Sequence, residues 1–135
     1  MTQSRNATIL YVDDDPDDRE FLSDALREAD PGVRVVTAEN GVEALEYLES
    51  VKKEATVLPC VVVLDLNMPY LDGRQTFEEI RKDPALDDIF IIIFTSSENP
   101  NDKSMFRQAG AEFISKPYNI NYMNRIASHM LEHCH

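Results

Sequence analysis

Short apolar runs alternate with amphipathic stretches along this chain, and that alternation restricts its fold more than any other feature. Residues 7–12, 33–38, 60–64, 89–94 and 112–115 read as strands. Ile9-Leu10-Tyr11-Val12 and Val61-Val62-Val63-Leu64 are apolar at every position rather than at every second one. A strand of that kind presents apolar side chains to both of its faces and needs cover on both.

Between the strands, residues 16–29, 41–52, 73–82, 100–109 and 119–132 carry apolar residues at helical spacing. The first stripe is Phe21, Leu22, Ala25, Leu26 and Ala29; the second is Val42, Leu45, Leu48 and Val51. Phe77 and Ile80 mark the third and Met105 and Phe106 the fourth. Met123, Ile126, Ala127, Met130 and Leu131 mark the last. Parallel neighbours need a crossover connection, usually a helix, so five strands alternating with five helices predict an α/β fold. The sheet is parallel and covered on both faces, in one domain over residues 1–135 with its core at about 7–131.

Local signals agree. Asp15 is placed to cap the first helix, with Pro16 at its first position and Asp17 and Asp18 favourable to its dipole. Residues 53–59 form a longer connection, read as a helical extension that frays before Pro59. Residues 66–72 form a loop with turn chemistry at Met68-Pro69 and Asp72-Gly73, and Gly110 closes the fourth helix.

Charged and hydroxyl groups stand where the strands stop. Asp13-Asp14-Asp15 follow the first, Asp65 the third, Thr95 the fourth and Lys116-Pro117 the fifth. Charge beside buried strands is costly to desolvate, and in parallel sheets ligands bind beyond the carboxyl ends of the strands. Singly, each group has an ordinary reading: a solvated helix cap, a surface lysine, a strand-end hydroxyl. Jointly they predict one pocket of several carboxylates and one ammonium. Asp65, ending a central strand, is then a nucleophile. Asp13, Asp14 and Asp65 repel one another, and Mg²⁺ resolves the repulsion because it prefers oxygen ligands and keeps waters that a phosphoryl group displaces. Lys116 supplies a point charge for a phosphate oxygen and Thr95 a hydroxyl donor.

A net charge of −12 speaks against direct nucleic-acid binding. The longest apolar run, residues 89–94, is far short of the ~20 residues that span a bilayer. The polar start, residues 1–8, does not have the layout of a signal peptide. Cys60 and Cys134 are read as free thiols in a reducing compartment, which gives a cytoplasmic location. The terminal His133-Cys134-His135 is read as a frayed end rather than a metal site.

Two rival motifs fare worse. Asp13-Asp14-Asp15 contains the D-x-D of haloacid dehalogenase-type phosphatases, but Asp17 stands where Thr or Val belongs. Asp13, Asp15 and Asp17 mimic an EF-hand loop, but Asp18 replaces its glycine and Asp24 its bidentate glutamate. A third reading is an unphosphorylated interaction module on the same fold.

Asp13-Asp14, Leu64-Asp65-Leu66-Asn67-Met68-Pro69 with Asp72-Gly73, Thr95-Ser96 and Lys116-Pro117 together resemble the receiver domain of two-component response regulators. The resemblance covers residues 8–131 and is CheY-like. It implies a flavodoxin-like three-layer sandwich with sheet order 2-1-3-4-5. It implies that Asp65 accepts a phosphoryl group from a sensor histidine kinase or a histidine phosphotransfer protein. By the same resemblance Asp14, Asp65 and the backbone carbonyl of Asn67 bind Mg²⁺, with Asp13 acting through water. Thr95 and Lys116 contact the phosphoryl oxygens, and Phe113 and Thr95 are switch residues. Phosphorylation draws Thr95 inward, Phe113 rotates toward the core, and the fourth helix, fifth strand and fifth helix change their surface. Asn67 and Ser97 stand where the family tunes phosphoryl lifetime. The chain is thus expected to be a stand-alone regulator and phosphoacceptor rather than an enzyme, monomeric or dimerising on phosphorylation, with an unidentified protein target. Its 53–59 connection and its Ser96-Ser97-Glu98-Asn99-Pro100 loop resemble receivers that pair with phytochrome-type kinases.

Overall fold

A computed structural model describes residues 7–54, 57–97 and 99–134. The polar start before residue 7, Ala55 and Thr56 of the 53–59 connection, Glu98 of the loop after the fourth strand and the terminal His135 lie outside the described residues. Five strands, β1 (Thr8–Val12), β2 (Arg34–Ala38), β3 (Val61–Leu64), β4 (Phe90–Thr95) and β5 (Glu112–Ser115), alternate with α1 (Pro16–Ala29), α2 (Gly41–Lys53), α3 (Gly73–Arg81), α4 (Pro100–Gln108) and α5 (Met123–Leu131). All pairings are parallel and the order is β2-β1-β3-β4-β5, as the resemblance implied.

The apolar runs behave as their composition requires. Leu10, Val12, Val62, Leu64, Ile91 and Ile93 face α2, α3 and α4, while Ile9, Tyr11, Val61, Val63, Ile92 and Phe94 face α1 and α5. Successive strand residues point to opposite faces, so an uninterrupted apolar run fills two cores at once. β2 departs from this pattern. It is an edge strand whose Arg34 and Thr37 are exposed.

Helix entries follow from local hydrogen bonding. Asp15 caps α1 by accepting from the backbone N–H groups of Asp17 and Asp18, and Pro16 follows it. Asp72 and Gln75 form a reciprocal capping box on α3, which fixes where the loop after β3 ends. Gly110 stands just past α4 at φ 90°, a conformation that glycine adopts without cost. α5 begins at Met123 rather than at 119, because Asn119 turns the chain through its side chain and carbonyl and Ile120–Tyr122 form a 3₁₀ turn. Phe21 is 43% exposed rather than in the core, and Val42, Ala29 and Met105 are exposed with it. Leu22, Ala25 and Leu26 already aim α1 at the sheet, and Phe21, about 100° round the helix from Leu22, falls at its rim.

The two cysteines are not free. Cys60, just before β3, and Cys134, in the 3₁₀ turn Glu132–Cys134 after α5, form a disulfide with Cα atoms 5.3 Å apart. Their sequence separation of 74 is closed by the fold, since α5 packs on the sheet face where β3 starts. The cysteines therefore give no sign of a reducing compartment. A bridge closing so long a loop stabilises by about 2–4 kcal/mol. Reduction, or Cys134→Ser, should lower the urea midpoint accordingly, and an unchanged midpoint would mean that the bridge contributes nothing in solution.

Candidate functional site

The parallel topology brings the carboxyl ends of β1, β3, β4 and β5 to one rim, and the backbone fixes each functional residue there. Each continues its strand's hydrogen bonding by one residue. Asp13 N–H donates to Ala38 O at 3.0 Å, Asp65 N–H to Val12 O at 3.0 Å and Lys116 N–H to Thr95 O at 2.9 Å. Asp13 and Asp65 are therefore anchored through their main chain while their side chains project into the pocket. Asp13 is 0% exposed and Asp65 5%.

Lys116 holds the pocket together. Its ammonium donates to Asp13 Oδ2 at 2.7 Å, to Asp18 Oδ2 at 2.8 Å and to Asp65 Oδ2 at 3.2 Å. Partial burial on its own would depress the lysine, but the bonds to Asp13 and Asp18 and the charge of Asp65 outweigh it and raise its pKa above the ordinary value. Beneath lies Tyr11, whose hydroxyl donates to Asp13 Oδ2 at 2.7 Å. Burial first, and then the Asp13 charge, pushes this phenol far above its usual range and keeps it a donor.

Asp18 and Tyr11 are the two site residues that sequence reasoning passed over. The sequence places Asp15 as the helix cap and Asp17 and Asp18 at the helix dipole; Asp15 is indeed the cap, and Asp17 is exposed, but Asp18 reaches Lys116. Tyr11 was assigned to the core. Its sequence signal was available, because residues two apart on a strand share a face and Tyr11 precedes Asp13 by two.

One carboxylate oxygen each from Asp13, Asp14 and Asp65 lies within 4.8 Å of the others. An all-oxygen set of this kind fits a hard divalent cation. Asp13 has both oxygens engaged, Oδ1 by Asp15 N–H and Oδ2 by Tyr11 and Lys116. Asp14 is exposed, and Asp65 Oδ1 receives, among the described residues, a long 3.5 Å approach from Asn67 N–H. Direct ligation therefore suits Asp14 and Asp65 better than Asp13.

Thr95 is buried at the end of β4, and its hydroxyl oxygen accepts from Ser97 N–H at 3.2 Å. Phe113 is buried in the core cluster, 6.4 Å from Phe106 between ring centroids. The resemblance implies that Phe113 turns inward on activation; in this structure it already lies inward. Gly73 opens α3 directly under the acidic loop, where a Cβ would collide with the carbonyl of Asp65. Gly73→Ala should cost about 1–3 kcal/mol and slow any chemistry at Asp65, as a urea titration and a labelling time course would read. Wild-type behaviour in both would show that the loop shifts freely.

The fold and this rim define a flavodoxin-like α/β protein with an acid-and-lysine site. The sequence matches the response regulator receiver domain family over residues 9–127, and the chain belongs to that family. Receiver domains take phosphoryl groups from histidine kinases; they are phosphoacceptors, generally not catalytic enzymes. The chain is similar to the response regulator Rre1 of Synechocystis, at 30% identity over 92% of this chain and 51% of that protein. Among solved structures, the phosphorylated cyanobacterial phytochrome response regulator RcpA superposes with a TM-score of 0.84 at 28% identity, covering 95% of this chain and 93% of that one. The bacteriophytochrome response regulator AtBRR gives a TM-score of 0.75 at 31% identity, covering 96% and 94%. The chain spans 28%, 16% and 51% of three longer curated relatives. Among the described residues no helix is long and apolar enough to cross a membrane.

Proposed function

We propose that this chain is a response regulator receiver that accepts a phosphoryl group on Asp65 in a Mg²⁺-dependent reaction. The observation that carries the proposal is the convergence of Asp13, Asp14 and Asp65 with Lys116 at the ends of three parallel strands. Phosphoryl transfer has a loose transition state, so alignment and charge neutralisation supply most of the rate. An Asp65 oxygen attacks phosphorus in line, forming the O–P bond as the bond to the donor's imidazole nitrogen breaks. Lys116 neutralises phosphoryl charge once it exchanges a carboxylate partner for a phosphoryl oxygen, and the Thr95 hydroxyl donates to another. Asp14, Asp65 and the Asn67 carbonyl would hold the Mg²⁺, with Asp13 acting through water; the ion supplies further charge neutralisation.

The donor is a sensor histidine kinase or a histidine phosphotransfer protein. The likeness to RcpA and AtBRR favours a phytochrome-like kinase. Readout runs through α4, β5 and α5, with Thr95 and Phe113 as switch residues, as a population shift between two packings. Because Phe113 starts buried beside Phe106, that shift is a repacking within the core rather than entry of an exposed ring. The protein works as a monomer or a phosphorylation-linked homodimer, on a protein target rather than on nucleic acid or membrane.

Incubation with acetyl phosphate and Mg²⁺ should add the mass of one phosphoryl group, and chelation of the metal should prevent it. No mass increase across acetyl phosphate and a panel of histidine kinases would overturn the proposal.

A further inference from the structure

A second cluster of metal-ligating side chains lies at the other end of β5, remote from Asp65. Glu112 is the first residue of β5, His129 lies in α5, and His133 follows in the 3₁₀ turn Glu132–Cys134. Glu112 Oε2 is 2.7 Å from His129 Nε2, and Glu112 Oε1 is 3.3 Å from His133 Nε2. One donor atom from each of the three residues lies within 4.8 Å of the other two. We propose that Glu112, His129 and His133 bind a transition-metal dication of the zinc type, pinning the start of β5 to the end of α5.

The donor set selects the metal. Two imidazole nitrogens and one carboxylate oxygen suit zinc and its neighbours, whereas magnesium prefers oxygen alone. Three protein ligands leave the fourth tetrahedral position to water or a partner's side chain. His129 and His133 are four residues apart across the end of α5, and the turn there brings the Nε2 atoms of both to Glu112.

The rings are also held in place. His133 stacks on Phe90 with centroids 3.8 Å apart and planes 16° apart, and the next residue, Cys134, is tied to Cys60. Glu132 Oε1 lies 3.8 Å from His129 Nδ1. A metal on Nε2 would replace the proton shared there with Glu112 and leave the ring proton on Nδ1, the side on which Glu132 stands. The alternative occupant of the same geometry is a proton, giving a hydrogen-bonded Glu-His pair with no metal affinity.

Titration calorimetry of the intact, oxidised chain with Zn²⁺, in excess Mg²⁺ to occupy the acidic rim, separates the two. Expected are one Zn²⁺ per chain and a tetrahedral visible spectrum with Co²⁺. His129→Ala and His133→Ala should each weaken binding by about tenfold or more, while His135→Ala leaves it unchanged. Thermal melts of the two variants in metal-free buffer establish that they are folded. The proposal is overturned by no saturable Zn²⁺ binding, by binding indifferent to His129 and His133, or by binding lost with His135 alone.

Discussion

Asp65→Asn should abolish the phosphoryl mass increase with acetyl phosphate while leaving the protein at least as stable as the wild type in metal-free buffer. The first half follows from position. Asp65 ends the central strand β3, and an amide in its place keeps the shape and the Asn67 contact while removing the nucleophilic carboxylate. The second half follows from charge. Asp13, Asp18 and Asp65 share one ammonium, with Asp14 beside them. At an effective dielectric constant of 20, two unit charges 4 Å apart interact by about 4 kcal/mol. Asparagine gives up one attraction to Lys116 and relieves repulsions with several carboxylates, so the balance is neutral or favourable. Addition of Mg²⁺ should reverse the order, because a ligand that binds the folded state raises stability and the variant binds it less well. Melting curves with chelator and with Mg²⁺ would show the crossover. Labelling that persists in the variant would move the phosphoacceptor to another carboxylate. A lower midpoint in chelator would mean that Asp65 is held by Lys116 more strongly than its neighbours repel it.

The residues that could be read from the sequence are those whose position depends on topology alone. Asp13, Asp65, Thr95 and Lys116 each stand at or just past a strand end, and a parallel sheet gathers all such ends at one rim. No distance was needed to group them. Asp18 was hidden because its side-chain direction depends on how α1 is rotated over the sheet, and residues in a first helical turn have a sufficient local explanation in the dipole. The Cys60–Cys134 bridge was hidden for a related reason. Its ends come within 5.3 Å only after α5 docks, and two cysteines carry no spacing signal. Phe21 shows the limit of periodicity itself. A hydrophobic stripe gives the buried side of a helix but not where its rim falls, and that edge is set by the neighbouring helix, here α5 beside α1.

Lys116→Met should be the most destabilising single change at the rim, by about 3–5 kcal/mol in metal-free buffer, because it leaves buried carboxylates without their counter-charge. Methionine keeps the length and apolar stem of lysine, so packing changes little. The cost is concentrated on Asp13, which is wholly buried and receives its ionic partner from Lys116 at 2.7 Å. Tyr11 and the Asp15 amide remain as neutral donors, but neither carries charge. Asp18 is 30% exposed and can turn to water, so it contributes less. Asp13→Asn should rescue much of the loss in the double variant, and Mg²⁺ should rescue part of it in the single variant by supplying a new counter-charge. The double variant also guards against a single variant that does not fold. Phosphorylation by acetyl phosphate should fall sharply in Lys116→Met even at saturating Mg²⁺, since no other cationic side chain bonds to Asp65 among the described residues. A stability loss below about 1 kcal/mol, the worth of an exposed ion pair, would show that Asp13 does not depend on Lys116. Equal losses with and without Asp13→Asn would place the cost elsewhere in the chain.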